Sequence, residues 1–423
     1  MTIVHPIARA WLSAGDPAVR TASQNYDEFA DDAEITSIIA ARPYSALAVE
    51  MPHLAPDSAG VPFSDALPAA ARRLARAKAA GGYTASADVA VLYRITPPAG
   101  EPAAGTAYGV FCMVETDQIS TSADEPGLVI RNEDVFLDKV RERVALAEAT
   151  GHLVSPVLLL QTGRDDALHE ALGAACAAAG SPAAVDIDRA GRNHEIWPLP
   201  AGAARDELLA LAGGGDLVVA DGNHRSLAAQ VGHLPRFLAV VTTPASVTIQ
   251  PYNRLVTELP LDPAAFAARL AAAGARLGPA TGDEPPPRGV VRLYSAEGWR
   301  EAVLPPAPGG AGSAGAAGLA SSLLAPGGGL VDNLDHALVE RVLLGEVLGL
   351  DAGDKRITYV GGDYPPAWLT GEVDAGRADL AVLIPPVTVD DFVAVNLARR
   401  KLPRKSTWFT PKARAGLVLA ELG

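Results

Sequence analysis

The sequence predicts a mixed α/β protein of the α+β class, and two observations favour that class. A chain of 423 residues with 49% hydrophobic and 20% charged residues is typical of a folded globular protein that is too long for one compact core. Along the chain, short apolar runs of strand length are interspersed with segments of helix length. We therefore expect two or three domains built from both strands and helices.

The first half of the chain combines predicted strands with three predicted helices. The helix over 134–150 is amphipathic, with apolar Val140 and Val144 separated by charged residues. The continuous apolar run over 157–160 is typical of a strand buried on both faces. The predicted strands are 45–51, 88–95, 105–115, 128–131 and 157–160, and the predicted helices are 65–80, 134–150 and 206–211, with a turn-rich stretch over 118–127.

The second half continues this mixture. Thr388 is predicted to cap a helix, because its hydroxyl precedes Asp390 and Asp391 in the first turn. Residues 305–329 are dense in Pro, Gly, Ala and Ser, which predicts a flexible connector or long loop. The predicted strands are 236–242, 246–250, 356–360 and 380–384, and the predicted helices are 262–274, 335–348 and 388–396.

These elements group into four predicted segments. An N-terminal α/β segment spans 1–115, and a core spans 116–260. A helix, strands and the connector occupy 261–330. A C-terminal α/β segment over 331–423 is expected to complete the functional site.

Charge and cysteine content exclude several classes of function. The formal net charge of -14 argues against a nucleic-acid partner and against nuclease activity, since binding nucleic acid requires clustered Lys and Arg. Two cysteines, Cys112 and Cys176, form neither a disulfide framework nor a zinc cluster. The first residues lack a signal-peptide pattern, and no apolar run reaches membrane-spanning length. We therefore expect a cytoplasmic protein without a membrane partner.

The strongest candidate site is Asp221-Gly222-Asn223-His224-Arg225, between an apolar strand-like run and a helix-like run. The glycine allows the backbone to approach a ligand closely, and the helix start directs free N–H groups and a positive dipole end toward it. Arginine matches phosphate oxygens, and the aspartate can hold a metal or a proton. The alternative interpretation is a structural turn with buried polar caps.

Two other polar groups compete for the chemistry. Residues 131–134 place Glu133 and Asp134 between a strand and a helix, where the alternative is a helix N-terminus with favourable acids. Lys405, Ser406 and Thr407 follow a proline, and the alternative there is a turn with a capping hydroxyl. Local patterns do not decide among these interpretations.

The order and spacing of the motifs resemble known proteins. One set is similar to the core of the free serine kinases of the ParB/sulfiredoxin superfamily. A second set resembles more closely a bacterial family, domain of unknown function 1015, which is related to those kinases. The first set comprises 130–133, Lys139 with Arg141 and Arg143, 156–160 and 219–225, and the second comprises 25–27, 42–45, 384–388 and 403–412. The resemblance covers almost the full chain.

The resemblance implies a ParB/sulfiredoxin-like core with additional N-terminal and C-terminal α/β segments. It implies that Gly222, Asn223, His224 and Arg225 meet the nucleotide phosphates, with Asp221 near the transferring group and the metal and with His224 also in a catalytic role. The family's third motif residue is usually histidine. Asn223 keeps hydrogen-bonding capacity but loses the option of a positive charge.

The resemblance also implies where the acceptor binds. Glu133 matches the glutamate that contacts and activates the serine hydroxyl, although Asn132 replaces the histidine that usually precedes it. A lysine–hydroxyl segment that binds substrate or phosphate is matched by Lys405, Ser406 and Thr407. Arg254 is a further candidate substrate-binding residue.

The expected activity is transfer of a phosphoryl group from ATP or ADP, with Mg²⁺, to the side-chain hydroxyl of a free amino acid. L-serine, giving O-phospho-L-serine, is the first expected acceptor, and threonine is another. This chemistry requires positioning, positive charge and a carboxylate that orients the acceptor. The alternative is a non-catalytic nucleotide-binding regulator, for which Glu133 would not be required. The oligomeric state stays open.

Overall fold

The computed structural model of the chain describes residues 2–98, 100, 105–120, 127–280, 282, 284–308 and 329–423. Contacts divide the chain into two compact units. Unit 1 comprises Met1–Thr248 and Pro411–Gly423, and unit 2 comprises Ile249–Thr410. Much of the predicted turn-rich stretch, 121–126, and most of the predicted connector, 309–328, lie outside the described residues.

Strands and helices follow one another throughout both units. The strands are β1 (Val4–His5), β2 (Ile7–Ser13), β3 (Tyr83–Thr96), β4 (Ala107–Glu115), β5 (Ile119–Ser120), β6 (Val129–Ile130), β7 (His152–Leu153), β8 (Val157–Gln161), β9 (Ala184–Ile187), β10 (Asn193–Leu199), β11 (Leu217–Asp221), β12 (Arg236–Thr242), β13 (Thr248–Gln250), β14 (Tyr252–Val256), β15 (Arg276–Pro279), β16 (Val291–Ser295), β17 (Gly298–Val303), β18 (Ile357–Gly361), β19 (Leu380–Leu383), β20 (Trp408–Thr410) and β21 (Val418–Glu421). The helices are α1 (Asp32–Ala41), α2 (Ala46–Glu50), α3 (Phe63–Ala79), α4 (Leu137–Thr150), α5 (Asp165–Ala178), α6 (Ala203–Ala212), α7 (Asn223–Val231), α8 (Pro263–Ala272), α9 (Asp335–Leu338, continued as a π-helix over Val339–Leu348), α10 (Pro366–Asp374) and α11 (Val389–Leu397).

A large sheet organises unit 1. Thirteen of its described strands join in this sheet, whose main path runs β5-β6-β11-β8-β12-β4-β3-β2-β21-β7. Strand β1 pairs with β4, and β10 pairs with β3 and β9. Strand β11 runs parallel to β6 and antiparallel to β8. The candidate turn at 221–225 therefore leaves the sheet between two short neighbouring strands.

The core of unit 1 packs against this sheet. Val110, Leu159, Val219 and Val241 are fully buried on β4, β8, β11 and β12. Their neighbours along each strand, which face the other side of the sheet, are buried as well. Strands covered on both faces have continuous apolar sequences, and this confirms the buried strand predicted over 157–160.

Unit 2 has its own sheet and core. Six strands join in the order β15-β17-β16-β19-β14-β18, and β13 and β20 form a two-stranded sheet. Leu343 and Val382 are fully buried in the core beside α9 and β19. The predicted cap is confirmed, because the Thr388 hydroxyl accepts a hydrogen bond from the Asp391 backbone N–H at 3.0 Å.

The mixture of strands and helices confirms the α+β class, and most predicted elements are present within a few residues of the predicted bounds. The predicted strand over 45–51 is wrong, since Ala46–Glu50 is helix α2. All five of its residues are buried, so no face of the helix is exposed to water. Its short, mostly apolar sequence therefore resembles that of a buried strand. Helix α5 and strands β2 and β21 have no counterpart among the predicted elements.

Two findings concern the chain as a whole. No helix in the described part of the chain is both long enough and apolar enough to cross a membrane. The division into four segments stays a prediction, but its first two segments share one sheet, since β4 pairs with β12 over seven residues.

Candidate functional site

Two parallel strands bring the loop at 131–136 and the turn at 221–225 to one edge of the sheet. In the register of β6 and β11, Val129 pairs with Leu217 and Ile130 pairs with Val218. Parallel neighbours end at the same edge of a sheet. Strand β6 ends at Ile130, so the loop that carries Glu133 starts beside β11, which continues to Asp221 and the turn.

The turn requires glycine at position 222. Gly222 has φ 94°, in the left-handed region, and precedes the nine-residue helix α7. A Cβ there would lie 3.0 Å from Arg225 Nε and 3.2 Å from Val157 Cα. The absence of a side chain lets Arg225 fold back across the turn, and the helix N-terminus adds positive potential at the same place.

Asp221 lies between two cations. Its Oδ1 accepts a hydrogen bond from Lys412 Nζ at 2.9 Å, and its Oδ2 accepts one from Arg225 Nη2. The side chains of Asp221, Lys412 and Arg225 are only 13%, 10% and 7% exposed, so water screens these charges little. A largely buried carboxylate held by two donors is fixed in position.

Arg225 is tied into unit 1 from several sides. Its Nη1 donates to Asn25 Oδ1 at 3.3 Å and to the carbonyl oxygen of Pro156, and its Nη2 lies 3.8 Å from Asp27 Oδ2. Burial works against the charged form, but the carboxylates of Asp221 and Asp27 outweigh burial and raise the pKa of the guanidinium. Arg225 is therefore a permanent cation at the turn.

Lys412 reaches the turn from the last segment of unit 1, which is anchored at the two residues that follow it. The carbonyl oxygen of Ala413 accepts a hydrogen bond from Asn25 Nδ2 at 3.1 Å. The backbone N–H of Arg414 donates to Tyr93 Oη at 3.3 Å, and Arg414 Nε donates to Asp186 Oδ2 at 3.3 Å. Lys412 stands in the closing motif, but no local pattern marks it as a site residue.

Asn25 and Asp27, also absent from the predicted site residues, belong to a tight N-terminal turn. Glu28 Oε1 accepts hydrogen bonds from the Asn25 backbone N–H at 2.8 Å and from Asn25 Nδ2 at 3.0 Å. Burial raises the pKa of Glu28, while Lys412 and Arg414 lower it. The paired Asn25 and Glu28 hold the turn that presents Asp27 to Arg225.

His224 fastens the loop at 131–136 to helix α7. The backbone N–H of Phe136 donates to His224 Nε2 at 3.1 Å, and the two rings stack with centroids 6.1 Å apart. A nitrogen that accepts this bond carries no proton of its own. This contact makes His224 a positioning residue for the Glu133 loop, and its catalytic role stays a prediction.

Two buried asparagine side chains beside the turn have unsatisfied oxygens. Among the described residues, neither Asn132 Oδ1 nor Asn223 Oδ1 has a hydrogen-bond partner, and the two residues are 1% and 5% exposed. Buried polar atoms are usually paired, so these oxygens favour a ligand that donates hydrogen bonds. They occupy the two positions where the resembling family usually has histidine.

The remaining predicted site residues belong to unit 2. Arg254 is fully buried, with Nη2 3.1 Å from Glu340 Oε1 and Nη1 2.9 Å from the carbonyl oxygen of Tyr252. Ser406 Oγ donates to the carbonyl oxygen of Pro403 at 2.6 Å, and Lys405 Nζ lies 5.5 Å from the Tyr252 ring centroid. Thr407 is half-buried. Their roles in substrate binding stay predictions.

A resident metal would have few ligands here. Among the described residues, no three His, Cys, Asp or Glu side chains are grouped to hold a metal ion. Mg²⁺ is commonly held by one or two carboxylates together with the phosphates of its nucleotide. Asp221, with Asp27 across Arg225, fits an ion that arrives with a nucleotide.

Comparison with known proteins gives one family match. A sequence model of the family described as "Protein of unknown function (DUF1015)" matches residues 4–336. No curated protein matches the chain.

Several solved structures show weak likeness. A conserved hypothetical protein from Pyrococcus furiosus is 13% identical, with 73% of this chain and 95% of that chain covered and a TM-score of 0.38. A free serine kinase in complex with AMP is 11% identical, with 71% and 87% covered and a TM-score of 0.38. SbnI with a C-terminal truncation, from Staphylococcus aureus, is 12% identical, with 73% and 87% covered and a TM-score of 0.38. These TM-scores are too low to establish a common fold.

Proposed function

The chain belongs to the family of proteins of unknown function DUF1015, and we propose that it is a small-molecule kinase. It transfers a phosphoryl group from ATP or ADP to the side-chain hydroxyl of a free amino acid, with L-serine as the first acceptor and threonine as the second. Unit 1 then contains the ParB/sulfiredoxin-like core. The observation that carries the proposal is Asp221 held between Arg225 and Lys412 at a glycine turn that opens a helix.

The turn supplies what phosphoryl transfer asks of a protein. That reaction needs positive charge around the phosphoryl oxygens and a fixed geometry more than it needs covalent chemistry. Arg225 is a buried cation, Lys412 is a largely buried one, and α7 begins at the same turn. As the nucleotide binds, its phosphate oxygens replace Asp221 as the acceptors of hydrogen bonds from these two side chains.

Glu133 is the acceptor-activating group in this proposal. Its carboxylate accepts the hydroxyl proton as the hydroxyl oxygen forms a bond to the phosphorus, and the bond from phosphorus to the leaving nucleotide oxygen breaks. A carboxylate can do this when it lies within hydrogen-bond reach of the hydroxyl. The shared register of β6 and β11 supports this role, because it starts the Glu133 loop beside the phosphate-binding turn.

Mg²⁺ enters the proposal as the companion of the nucleotide. Asp221 would hold it, and the ion would neutralise charge on the phosphates. Arg225 and Lys412 pair directly with the Asp221 carboxylate.

The test is a reaction of the purified full chain with ATP or ADP, Mg²⁺ and a pool of free hydroxy amino acids, followed by mass spectrometry. We expect a phosphorylated amino acid, and Glu133→Gln should lower turnover by about 100- to 10,000-fold without changing nucleotide affinity. Asp138→Asn is the matched control, because Asp138 is 91% exposed at the start of α4. Nucleotide binding without a phosphorylated product from any acceptor would overturn the kinase proposal in favour of the regulator.

A further inference from the structure

Unit 1 contains a cavity to which the proposed reaction assigns no role. Its volume is about 70 Å³, and its lining combines apolar side chains, such as Val144 and Ala229, with six polar residues: Glu50, Arg143, Glu148, His152, Ser155 and Arg225. One water needs about 10 to 15 Å³ on this measure, so the cavity has room for about five to seven waters. L-serine is of this size, whereas a nucleotide is several times larger.

Arg143 contributes an unsatisfied buried cation to this cavity. It is 6% exposed, and its guanidinium lies 4.2 Å from the Tyr26 ring centroid and 5.1 Å from that of Phe63. Within the described part of the chain, none of its three side-chain nitrogens has a hydrogen-bond partner, and its ion pair with Glu142 is long at 4.0 Å. The two rings stabilise the charge but accept none of its planar N–H groups, so these groups lack the hydrogen bonds that a carboxylate would supply.

Glu50 contributes a buried carboxylate to the same cavity. It is 2% exposed, its Oε1 accepts a hydrogen bond from Ser155 Oγ at 2.5 Å, and its Oε2 has no hydrogen-bond partner among the described residues. Burial raises the pKa of Glu50, and the charge of Arg143 lowers it. Glu50 and Arg143 both line this cavity, yet the ion pairs of the described residues include none between them.

We propose that this cavity binds the head group of a small α-amino acid, with the α-carboxylate on Arg143 and the α-ammonium on Glu50. The inference rests on the proposed function, which requires a free amino acid as acceptor. A guanidinium offers parallel donors that match a carboxylate, and the open oxygen of Glu50 accepts from an ammonium group. A zwitterion satisfies both buried groups and leaves the net charge of the cavity unchanged.

The position of the cavity supports this assignment. Arg225 lines the cavity and also donates to Asp221, so one side chain separates the amino-acid subsite from the phosphate-binding turn. Val157, which lines the cavity too, lies against Gly222 of that turn. A ligand in the cavity is therefore next to the residues proposed to handle the phosphoryl group.

The test is isothermal titration calorimetry of the nucleotide-free full chain with L-serine, L-threonine and two analogues. The analogue 2-amino-1,3-propanediol lacks the carboxylate, and 3-hydroxypropionate lacks the ammonium group. We expect L-serine or L-threonine to bind, and Arg143→Met and Glu50→Gln each to weaken that binding by about tenfold to a hundredfold. The propanediol should bind weakly and equally to wild type and Arg143→Met, and the propionate weakly and equally to wild type and Glu50→Gln.

Arg141→Met is the matched control, because Arg141 lies on the same helix and its side chain is 71% exposed. It should leave the affinity for L-serine unchanged. Melting curves confirm that each variant is folded, and Arg143→Lys replaces Arg143→Met if the latter does not fold. Should both fail to fold, the comparison of L-serine with 2-amino-1,3-propanediol on the wild type decides the role of the carboxylate.

Several outcomes would overturn the inference. The first is that neither amino acid binds. The second is that L-serine binds a folded Arg143→Met variant as tightly as wild type. The third is that 2-amino-1,3-propanediol binds wild type as tightly as L-serine does. The kinase proposal fails separately. If amino-acid binding depends on Arg143 but no phosphorylated product forms, the kinase proposal is rejected and the amino-acid subsite is supported. If Arg143→Met turns over with an unchanged KM for the amino acid, the amino-acid subsite is rejected and the kinase proposal stands.

Discussion

Ile130 and Val218 are a registered pair on the parallel strands β6 and β11, and Glu133 and Asp221 each follow that pair by three residues. The pairing of β6 with β11 thus starts the Glu133 loop beside the strand that leads into the turn at 221–225, without requiring a direct bond between the two carboxylates. His224 also holds this loop, because its Nε2 accepts a hydrogen bond from the backbone N–H of Phe136. Sheet register and one histidine together hold the loop in place.

The first prediction concerns the stability that Asp221 provides. Asp221→Asn leaves Lys412 and Arg225 without their shared carboxylate, and removing one member of a buried ion pair costs about 3 kcal/mol. Urea unfolding should show this loss in the free energy of unfolding, whereas Asp138→Asn should change it by less than about 0.5 kcal/mol. Lys412→Met should cost less in the Asp221→Asn background than in wild type. Additive losses would show that the two residues are not coupled.

The second prediction concerns Lys412 in turnover. Lys412→Met removes one of the two cations at the turn, and loss of one preorganised donor lowers turnover by about 100- to 1,000-fold. The measurement is the rate of phosphorylated amino acid formation at saturating nucleotide. Lys355→Met, at an exposed lysine of unit 2, is the control. Turnover within about twofold of wild type in Lys412→Met would remove Lys412 from the proposed mechanism.

The third prediction compares two glycines. Gly222→Ala places a Cβ against Arg225 and Val157 in the left-handed region, which costs at least about 1 to 2 kcal/mol of stability and displaces Arg225. Gly371→Ala, inside helix α10 with open space around its Cα, should instead raise stability by about 0.5 to 1 kcal/mol. Thermal unfolding measures both changes. A Gly222→Ala protein as stable as wild type would contradict the close packing of the turn.

The fourth prediction is a pH dependence from His194. Burial lowers the pKa of His194 to about 4 from its ordinary value of 6.5, although the hydrogen bond to Asp188 at 3.1 Å opposes that effect. The unfolded chain therefore takes up a proton near pH 6.5 that the folded protein takes up only near pH 4. This contribution to stability is complete above pH 6.5 and decreases by about 3 kcal/mol as the pH falls to 4.

Urea unfolding across this pH range tests the dependence on His194. His194→Gln keeps a donor for Asp188 and an acceptor for Tyr93, whose hydroxyl lies 2.5 Å from His194 Nδ1, but it does not titrate. Its stability should therefore decrease less than that of wild type between pH 6.5 and 4. His233→Gln, at an exposed histidine, should follow the wild-type profile. Equal slopes for His194→Gln and wild type would exclude the assignment.

The candidate turn was predictable because all of its signals are local. An apolar strand, a glycine and a helix start lie within a few residues, and the geometry of Gly222 follows from them. Lys412 was not predictable in the same way, since its partner Asp221 is 191 residues away in sequence. An ion pair across that separation depends on the sheet order, which no local pattern determines.

Arg143 shows a second limit of pattern reading. On an amphipathic helix a charged residue is expected to face water, yet Arg143 is buried between two rings contributed by Tyr26 and Phe63. The aromatic partners come from elements distant in sequence, so the periodicity of α4 alone could not indicate this burial. The same reasoning explains why α2 was predicted as a strand, since residues distant in sequence bury every side of this helix.

The split of unit 1 into Met1–Thr248 and Pro411–Gly423 has a consequence for synthesis on the ribosome. Translation proceeds at about 5 to 20 residues per second, so the 162 residues of unit 2 delay the last segment by about 8 to 32 seconds. During that interval a nascent chain has Asp221 and Arg225 but neither Lys412 nor strand β21. Unit 1 therefore matures after translation has passed through unit 2, and a product that stops before Pro411 carries an unfinished sheet and a charge cluster with one cation missing.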